Sequence, residues 1–338
     1  MSRHGTALLR HLTPARLANA ALLALELASR RTHVRSRPVV IKIEPTNICN
    51  FRCPGCRTGS GEDTSPRGMI SFENYQQIID CIRHHAFKVI LYMWGEPFLH
   101  KDVFRMIRYA ADRNLSVQVS SNMNAFREGY AEMIVDSGLE HLIVAMDGIS
   151  QETYEKYRVG GSIDKVVRNV QMVVKAREKR RSRLPIVELQ YILFPHNRHE
   201  LEGARTLARG LGVDRFTIID TISNTDKGRA KLKNGVPRQP DKCNTLWTMA
   251  CVNWDGSLSP CCDSVDDSFG NVLEENLDSL WNSEKMRKSR SLQGPSPTSD
   301  GPKTKCSLCR IYGSYVTFAP DRETSPADTP ATATTPRR

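Results

Sequence analysis

Apolar positions along this chain come in short β-branched runs, separated by stretches in which they recur every three or four residues. The runs Val39–Ile43, Val89–Met93, Val117–Ser121, His141–Met146, Ile186–Leu193 and Arg215–Ile219 read as strands. Between them lie helical patterns such as Phe72, Tyr75, Ile78, Ile79 and Ile82, whose spacing puts one apolar face against a sheet. Strands alternating with helices argue for parallel pairing with right-handed crossovers. Six such units fall short of the eight that close a full barrel. The expected fold class is therefore α/β, a partial (β/α)6 TIM-like barrel, followed by a small C-terminal domain.

The same pattern sets the expected domain boundaries. Residues 1–38 form an N-terminal extension with a helix over about Ala7 to Arg30 and a break at Pro38, and the barrel occupies 39–222. Residues 223–242, polar, basic and interrupted by Gly and Pro, read as a linker. Residues 243–319 hold Trp247, Trp254 and Trp281 with two cysteine groups and a flexible insertion over Ser291–Lys305. That segment is too small for a strong hydrophobic core of its own, so metal is the natural staple. The Thr/Pro/Ala-rich stretch 320–338 reads as a disordered tail. Leu8, Leu12, Leu23 and Leu27 of the first helix are expected to pack across the barrel, with peripheral contact to a membrane surface as the alternative.

Composition adds little until the cysteines are counted. With 338 residues, 39% hydrophobic and 25% charged, the chain is of ordinary globular type. The net charge, 48 − 37 = +11, suits anionic ligands but forms no continuous basic and aromatic stripe of the kind a nucleic-acid groove needs. Arg10, Arg16 and Glu26 interrupt the apolar N-terminal stretch, so no signal peptide is read and a reducing cytoplasm is the expected location. There, the ten cysteines read as metal or redox ligands rather than disulfides.

Three of them, Cys49, Cys53 and Cys56, fall within eight residues directly after the first strand. Four-iron clusters normally take four cysteine ligands, so three thiolates leave one iron open to another molecule. Zinc is the alternative, but it would want a fourth Cys or His nearby, and residues 34–83 contain no His.

This cysteine loop resembles the signature of the radical S-adenosylmethionine (SAM) superfamily, and the resemblance extends over roughly residues 39–315. It implies a [4Fe-4S] cluster at Cys49, Cys53 and Cys56 whose open iron chelates SAM. It also implies one-electron cleavage to methionine and a 5′-deoxyadenosyl radical, which abstracts hydrogen from an unactivated carbon, with a flavodoxin- or ferredoxin-type protein as electron donor. Trp94-Gly95-Glu96-Pro97 is similar to the family's GGEP motif, and Ser121 and Asn122 to its polar third-strand end. Asp147-Gly148 with Tyr154, Tyr157 and Arg158 is similar to a stretch in which a serine and an arginine bind the methionyl carboxylate. Ala145 stands at the serine position, which shifts that role to Arg158 and Ser121. Gln190 and Asn197 occupy positions used near the adenosine.

Cys243, Gly256, Cys261 and the pair Cys306-x2-Cys309 resemble a truncated SPASM domain, called a twitch domain. That implies a second, auxiliary [4Fe-4S] cluster held by Cys243, Cys261, Cys306 and Cys309. Cys251 or Cys262 could replace one of these ligands, and structural zinc is the alternative metal. Cys81 is expected in the core, His84 and His85 at a helix C-terminus where positive charge is favoured, and His196 and His199 on the surface. A general base is left open among Glu44, Tyr92, Gln118 and Asp220.

The resemblance implies an oxidoreductase- or transferase-type enzyme acting on a small sugar, nucleoside or nucleotide-sugar substrate, by dehydrogenation or carbon–carbon coupling, as in antibiotic biosynthesis. A peptide- or protein-modifying maturase is the alternative. A zinc-stabilised nucleic-acid-binding protein without catalysis is the alternative from another class.

Overall fold

The computed structural model describes residues 10–61, 65–220, 243–294 and 302–308. All six expected strands form, as β1 (Val40–Ile43), β2 (Lys88–Ile90), β3 (Ser116–Ser121), β4 (His141–Ala145), β5 (Ile186–Leu193) and β6 (Arg215–Asp220). They pair in sequence order and in parallel. Around them lie α1 (Pro14–Ala28), α2 (Phe72–Ile82), α3 (Val103–Ala111), α4 (Tyr130–Asp136), α5 (Gln151–Glu155), α6 (Ile163–Lys179) and α7 (Leu201–Gly210). Each helix starts where its sequence permits. Ser71, Ser150 and Ser162 accept from the third following amide of α2, α5 and α6, satisfying one of the orphan donors at each N-terminus.

The outer face of the sheet is apolar, with Val89, Val117, Val119, Leu142, Val144 and Leu189 buried against the helices. The inner face is polar. Register aligns Cys251, Lys42, Ile90, Gln118 and His141 in one row across the strands, and Lys88 and Ser116 in the row below. Alternation along a strand sends every second residue to the same side, so this polar set lines the barrel interior. Lys88 donates to Gln118 (2.5 Å), and His141 meets Glu188 (3.0 Å), all four being buried.

The C-terminal segment does not stand apart as the sequence reading expected. After α8 (Thr245–Thr248), β7 (Met249–Val252) joins the free edge of β1 in parallel, and β8 (Leu258–Ser259) adds antiparallel, giving one eight-stranded sheet. α9 (Leu277–Trp281) and α10 (Glu284–Ser291) follow. The expected insertion is tied down at its ends: Ser291 closes α10 and Thr304 is buried before a 3-10 turn at Lys305–Leu308. The linker 223–242 and the tail 320–338 lie outside the described residues, as does Leu8.

Three further expectations are corrected. Cys81 is exposed, because Ile78, Ile79 and Ile82 take the buried face of α2. His85 is buried with neither ring nitrogen partnered, and burial lowers it to about 4, so it carries no helix-capping charge. The helix expected over about Ala7 to Arg30 is broken at residues 11–13, and among the described residues its long part runs from Pro14, fixed by proline at its first turn and by Thr13 as its cap. In place of the expected leucine stripe, Leu23 is buried while Leu12 is 44% exposed.

What holds α1 down is Arg16, only 1% exposed. Its guanidinium donates to the carbonyls of His11 (2.7 Å), Asn114 (2.6 Å) and Arg83 (2.6 Å). Arg83 caps α2 and Asn114 follows α3, so one cation satisfies carbonyls that two helix ends leave open. His11 lies beside it, bonded to Glu140 and Asn114, both at 2.9 Å.

Replacing Arg16 by Ala should lower the unfolding free energy by about 2–4 kcal/mol in a guanidinium titration, since buried carbonyls lose their donor. The His11–Glu140 pair should give a pH signature. Burial opposes charge on Glu140, but hydrogen bonds from His11 and Ser116 outweigh it and bring the carboxyl from 4.5 to about 2. Burial likewise opposes charge on His11, yet Glu140 and Asn114 raise it above 6.5. Stability from Glu140 is complete above 4.5 and disappears as pH falls towards 2; that from His11 is complete below 6.5 and is lost as pH rises through its folded value. Glu140→Gln should therefore shift the urea midpoint most between pH 4.5 and 6.5, and a shift independent of pH would contradict the pairing.

Candidate cluster and cofactor site

Beyond β1 the chain turns over the C-terminal rim of the barrel as residues 44–60. A short clasp shapes this loop: the Thr46 hydroxyl donates to the Gly68 carbonyl (2.8 Å), and Asn47 donates to the Pro66 carbonyl and accepts from the Gly68 amide. Phe51 is buried and fills the space left by Gly161, whose Cβ would stand 2.5 Å from the ring. Gly55, at φ +70°, makes the tight turn between Cys53 and Cys56.

Cys49, Cys53 and Cys56 are thereby held in one neighbourhood, Cys49 feeling the charge of the other two and Cys53 that of Cys56. Burial pushes Cys49 up to about 12 and raises Cys53 despite the nearby Arg158, so the loop would take up metal with release of protons. Among the described residues, no three His, Cys, Asp or Glu side chains converge tightly enough to enclose a single ion. A cluster is larger than an ion, and three thiols on one loop with polar donors beside the sulfurs fit that group. Asn122 Nδ2 lies 3.9 Å from Cys49 Sγ, and Arg158 Nη1 lies 4.0 Å from Cys53 Sγ. Donors to cluster sulfur are one means by which a protein sets potential.

The Gly95-Glu96-Pro97 segment packs directly on this loop. A Cβ on Gly95 would come 2.0 Å from the Thr46 carbonyl oxygen and 2.9 Å from that of Ile48. The Glu96 amide donates to the Ile48 carbonyl (2.9 Å), and Pro97 opens a 3-10 turn, Pro97–Leu99. The buried Glu96 carboxylate accepts from Ser121 Oγ (2.8 Å), the Asn122 amide (2.8 Å) and the Phe98 amide (3.1 Å). Burial raises its pKa, with those donors pulling the other way. Ser121 also accepts from the Met123 amide (2.9 Å). The structure thus spends Ser121 on Glu96 and leaves Asn122, bonded to Asn50 Oδ1 (2.9 Å), as the third-strand residue that reaches the cysteines.

A second buried carboxylate aims the arginine. Asp147 accepts from Arg158 Nε (2.5 Å) and from the Ile192 amide (2.6 Å). Burial raises the Asp147 pKa against the pull of Arg158, while Asp147 keeps the buried Arg158 firmly charged against its own desolvation. Asn197 is wholly occupied, donating to the carbonyls of Asp147 and Ile192 (both 2.9 Å), and so braces the loop rather than facing a ligand. Gln190 is half-buried in β5, level with Ala145 and Thr217 on the inner face. His196 departs from the expected surface role: it stacks on Phe194 and its Nε2 is buried without a partner.

Lys42, which the sequence reading missed, joins residues it had named in connecting the rim to the C-terminal segment. Trp94 donates from its amide to Glu44 (3.1 Å) and from its indole to the Cys262 carbonyl (2.7 Å). Lys42 lies 4.8 Å from the Tyr92 ring centre and hydrogen-bonds to Cys262, while Tyr92 accepts from Gln118 (3.0 Å). A lone lysine inside the apolar strand was the available signal. Of the expected auxiliary ligands, the Cys243 amide donates to Gln293 Oε1 (3.0 Å) beyond α10. Cys261 bonds Ser264 (3.6 Å) and is pushed up to about 11 by burial. Cys306 is buried next to Lys305, whose amide Asp267 holds at 2.7 Å. Cys309 and the Asp220 side chain lie outside the described residues. Cys251 is fully buried opposite Lys42.

The radical SAM superfamily profile matches residues 43–208 and an iron–sulfur cluster-binding (SPASM) domain matches 243–310. An AdoMet-dependent heme synthase of Methanosarcina barkeri is 27% identical over 140 residues, which cover 41% of this chain and 40% of that protein. The matched stretch thus spans less than half of that relative. An Fe-coproporphyrin III synthase of the same organism is 21% identical with 81% of both chains covered. A probable GTP 3′,8-cyclase of Methanocaldococcus jannaschii is 26% identical over 61% of this chain and 68% of its own. In fold, the chain is similar to Streptococcus suis SuiB bound to S-adenosylmethionine, with TM-score 0.64 at 12% identity over 87% of this chain and 75% of SuiB. The zinc reading of the cysteines gives way to iron–sulfur. This chain belongs to the radical SAM superfamily and carries a SPASM domain, and with them a SAM-binding [4Fe-4S] cluster and auxiliary iron–sulfur.

Proposed function

We propose that this radical SAM enzyme removes hydrogen from a small, hydroxyl-rich metabolite of sugar or nucleoside type, leading to dehydrogenation or carbon–carbon bond formation. The observation that carries the reading is the polar inner face at the barrel mouth. Lys42, Tyr92 and Gln118 form a connected set there, suited to hydroxyl and phosphate groups. GTP, the nucleotide in the name of the cyclase relative, fits such a lining.

Cys49, Cys53 and Cys56 would hold the SAM-chelating cluster. Cys243, Cys261, Cys306 and Cys309 would hold one auxiliary cluster. The bound cluster and SAM supply a carbon-centred oxidant strong enough for an unactivated C–H bond, given an electron from a flavodoxin- or ferredoxin-type protein. The chain's own work is positioning. The Gly95-Glu96-Pro97 backbone, close to the Thr46–Ile48 segment, presents main-chain groups to the methionyl amine. Arg158, fixed by Asp147, presents its guanidinium to a carboxylate. Gln190 lies within the ring of residues open to the adenosine. Trp94 caps the mouth from the side of β7, keeping water from the reacting carbon. Lys42 and Tyr92 hold a substrate hydroxyl and can move its proton.

Anaerobic reconstitution with iron and sulfide tests the cluster assignment. Wild type should cleave SAM to 5′-deoxyadenosine, and the Cys49/Cys53/Cys56→Ala variant should lose that activity and about half its iron. Near-zero iron in the variant contradicts a second site. Glu96→Gln should lower stability by about 1–3 kcal/mol and weaken SAM binding, because an amide cannot accept from all three donors. For the substrate, 5′-deoxyadenosine formation should rise with a nucleoside or nucleotide sugar. A rise only with a leader peptide or an iron porphyrin would overturn the substrate class and leave the cluster assignment standing.

A further inference from the structure

The N-terminal extension reaches the C-terminal cysteines through one side chain. Helix α1 ends at Ala28, and after its cap, Ser29, the chain takes a left-handed turn at Arg30, φ +50°. Glycine fills such a position without strain, so an arginine there draws attention to its side chain. Arg30 Nη1 donates to the Cys243 carbonyl (3.1 Å), and the guanidinium carbon stands 5.1 Å over the Trp247 ring. The Trp247 indole donates in turn to the Arg31 carbonyl (2.9 Å), which holds the two segments face to face. Arg30 is half-buried, and the group that opposes the loss of charge this burial brings is the Cys243 thiol rather than a carboxylate.

Arg290 locks the contact. Wholly buried in α10, it donates to the carbonyls of Leu246 (2.9 Å) and Thr32 (3.0 Å), so the chain beside Cys243 and the chain beside Arg30 hang on the same guanidinium.

The cysteines assigned to the auxiliary cluster are gathered at this place. Ser289 and Gln293, four positions apart at the end of α10, stand one above the other. Ser289 donates to Thr304 (3.2 Å), two residues before Cys306, and Gln293 accepts from the Cys243 amide (3.0 Å). Asp267 accepts from the Lys305 amide (2.7 Å), and two backbone hydrogen bonds lead from Asp267 through Ser264 to Cys261. Cys243, Cys261 and Cys306 are thus tied to one scaffold, as ligands of a shared cluster must be.

We propose that Arg30 is a positioning residue for electrons: a fixed cation placed beside the Cys243 ligand to raise the reduction potential of the auxiliary cluster. This rests on the assignment of that cluster to Cys243, Cys261, Cys306 and Cys309. Reduction adds one negative charge, which a neighbouring cation stabilises, and the charge and hydrogen bonding around the ligands are what a protein uses to set such potentials. A raised potential suits an acceptor of electrons better than a donor. The extension before the barrel is then part of the redox apparatus as well as a cover.

Redox titration followed by electron paramagnetic resonance tests this in the full chain carrying Cys49/Cys53/Cys56→Ala, where the auxiliary cluster alone contributes. Adding Arg30→Gln, which keeps a donor and removes the charge, should make reduction about tenfold less favourable, that is a midpoint ~59 mV lower for one electron. Adding Arg30→Lys, which keeps the charge, should leave the midpoint near that of the parent. Iron content should be the same in all three. An unchanged midpoint in Arg30→Gln, or an equal fall in both variants, overturns the arginine's role and leaves the cluster assignment standing. Loss of iron from Arg30→Gln alone makes the arginine a structural clamp and also overturns it. A parent without iron overturns the cluster assignment and the proposal together.

Discussion

Glu96 accepts hydrogen bonds from Ser121, Asn122 and Phe98 while its own amide bonds the Ile48 carbonyl, and the rim of the barrel depends on this one carboxylate. It joins the end of β3, the turn after β2 and the cysteine loop after β1, with Asn122–Asn50 and the Trp94 amide on Glu44 as further ties between them. Satisfied donors in a buried setting are worth more together than singly. The carboxylate thus fixes where the three thiols stand before any iron arrives. Asp147 plays the matching part on the far side, where it fixes Arg158 through a short ion pair and a backbone amide.

Much of this was legible in the chain itself. The six strands follow from β-branched runs because each is buried on its helix-facing side, and the cysteine loop follows from spacing because cluster geometry demands it. What escaped was direction and competition. Ser121 looks like a ligand until Glu96, twenty-five positions away, is seen to claim its hydroxyl. Asn197 looks available until its amide is found spanning two carbonyls. Cys81 reads as core by composition, but α2 has only one buried face, and three isoleucines occupy it.

β7 escaped for a different reason. Four residues with no alternation carry no strand signal of their own, and they become a strand because the free edge of β1 offers them a ladder. The inner face shows the same dependence on context. Lys42 sits in a run that periodicity assigns simply to a sheet and Lys88 just before another, and only the curvature of the whole sheet decides that they meet Tyr92 and Gln118 across an enclosed space.

The annexation of that edge has a mechanical result. Because β7 shares a ladder with β1 and Trp94 reaches across to the Cys262 carbonyl, the cysteine-rich segment is riveted to the catalytic half at two heights. Relative motion of the halves would tear backbone pairing, so the spacing between the cysteine loop after β1 and Cys251 in β7 is a fixed property of the sheet.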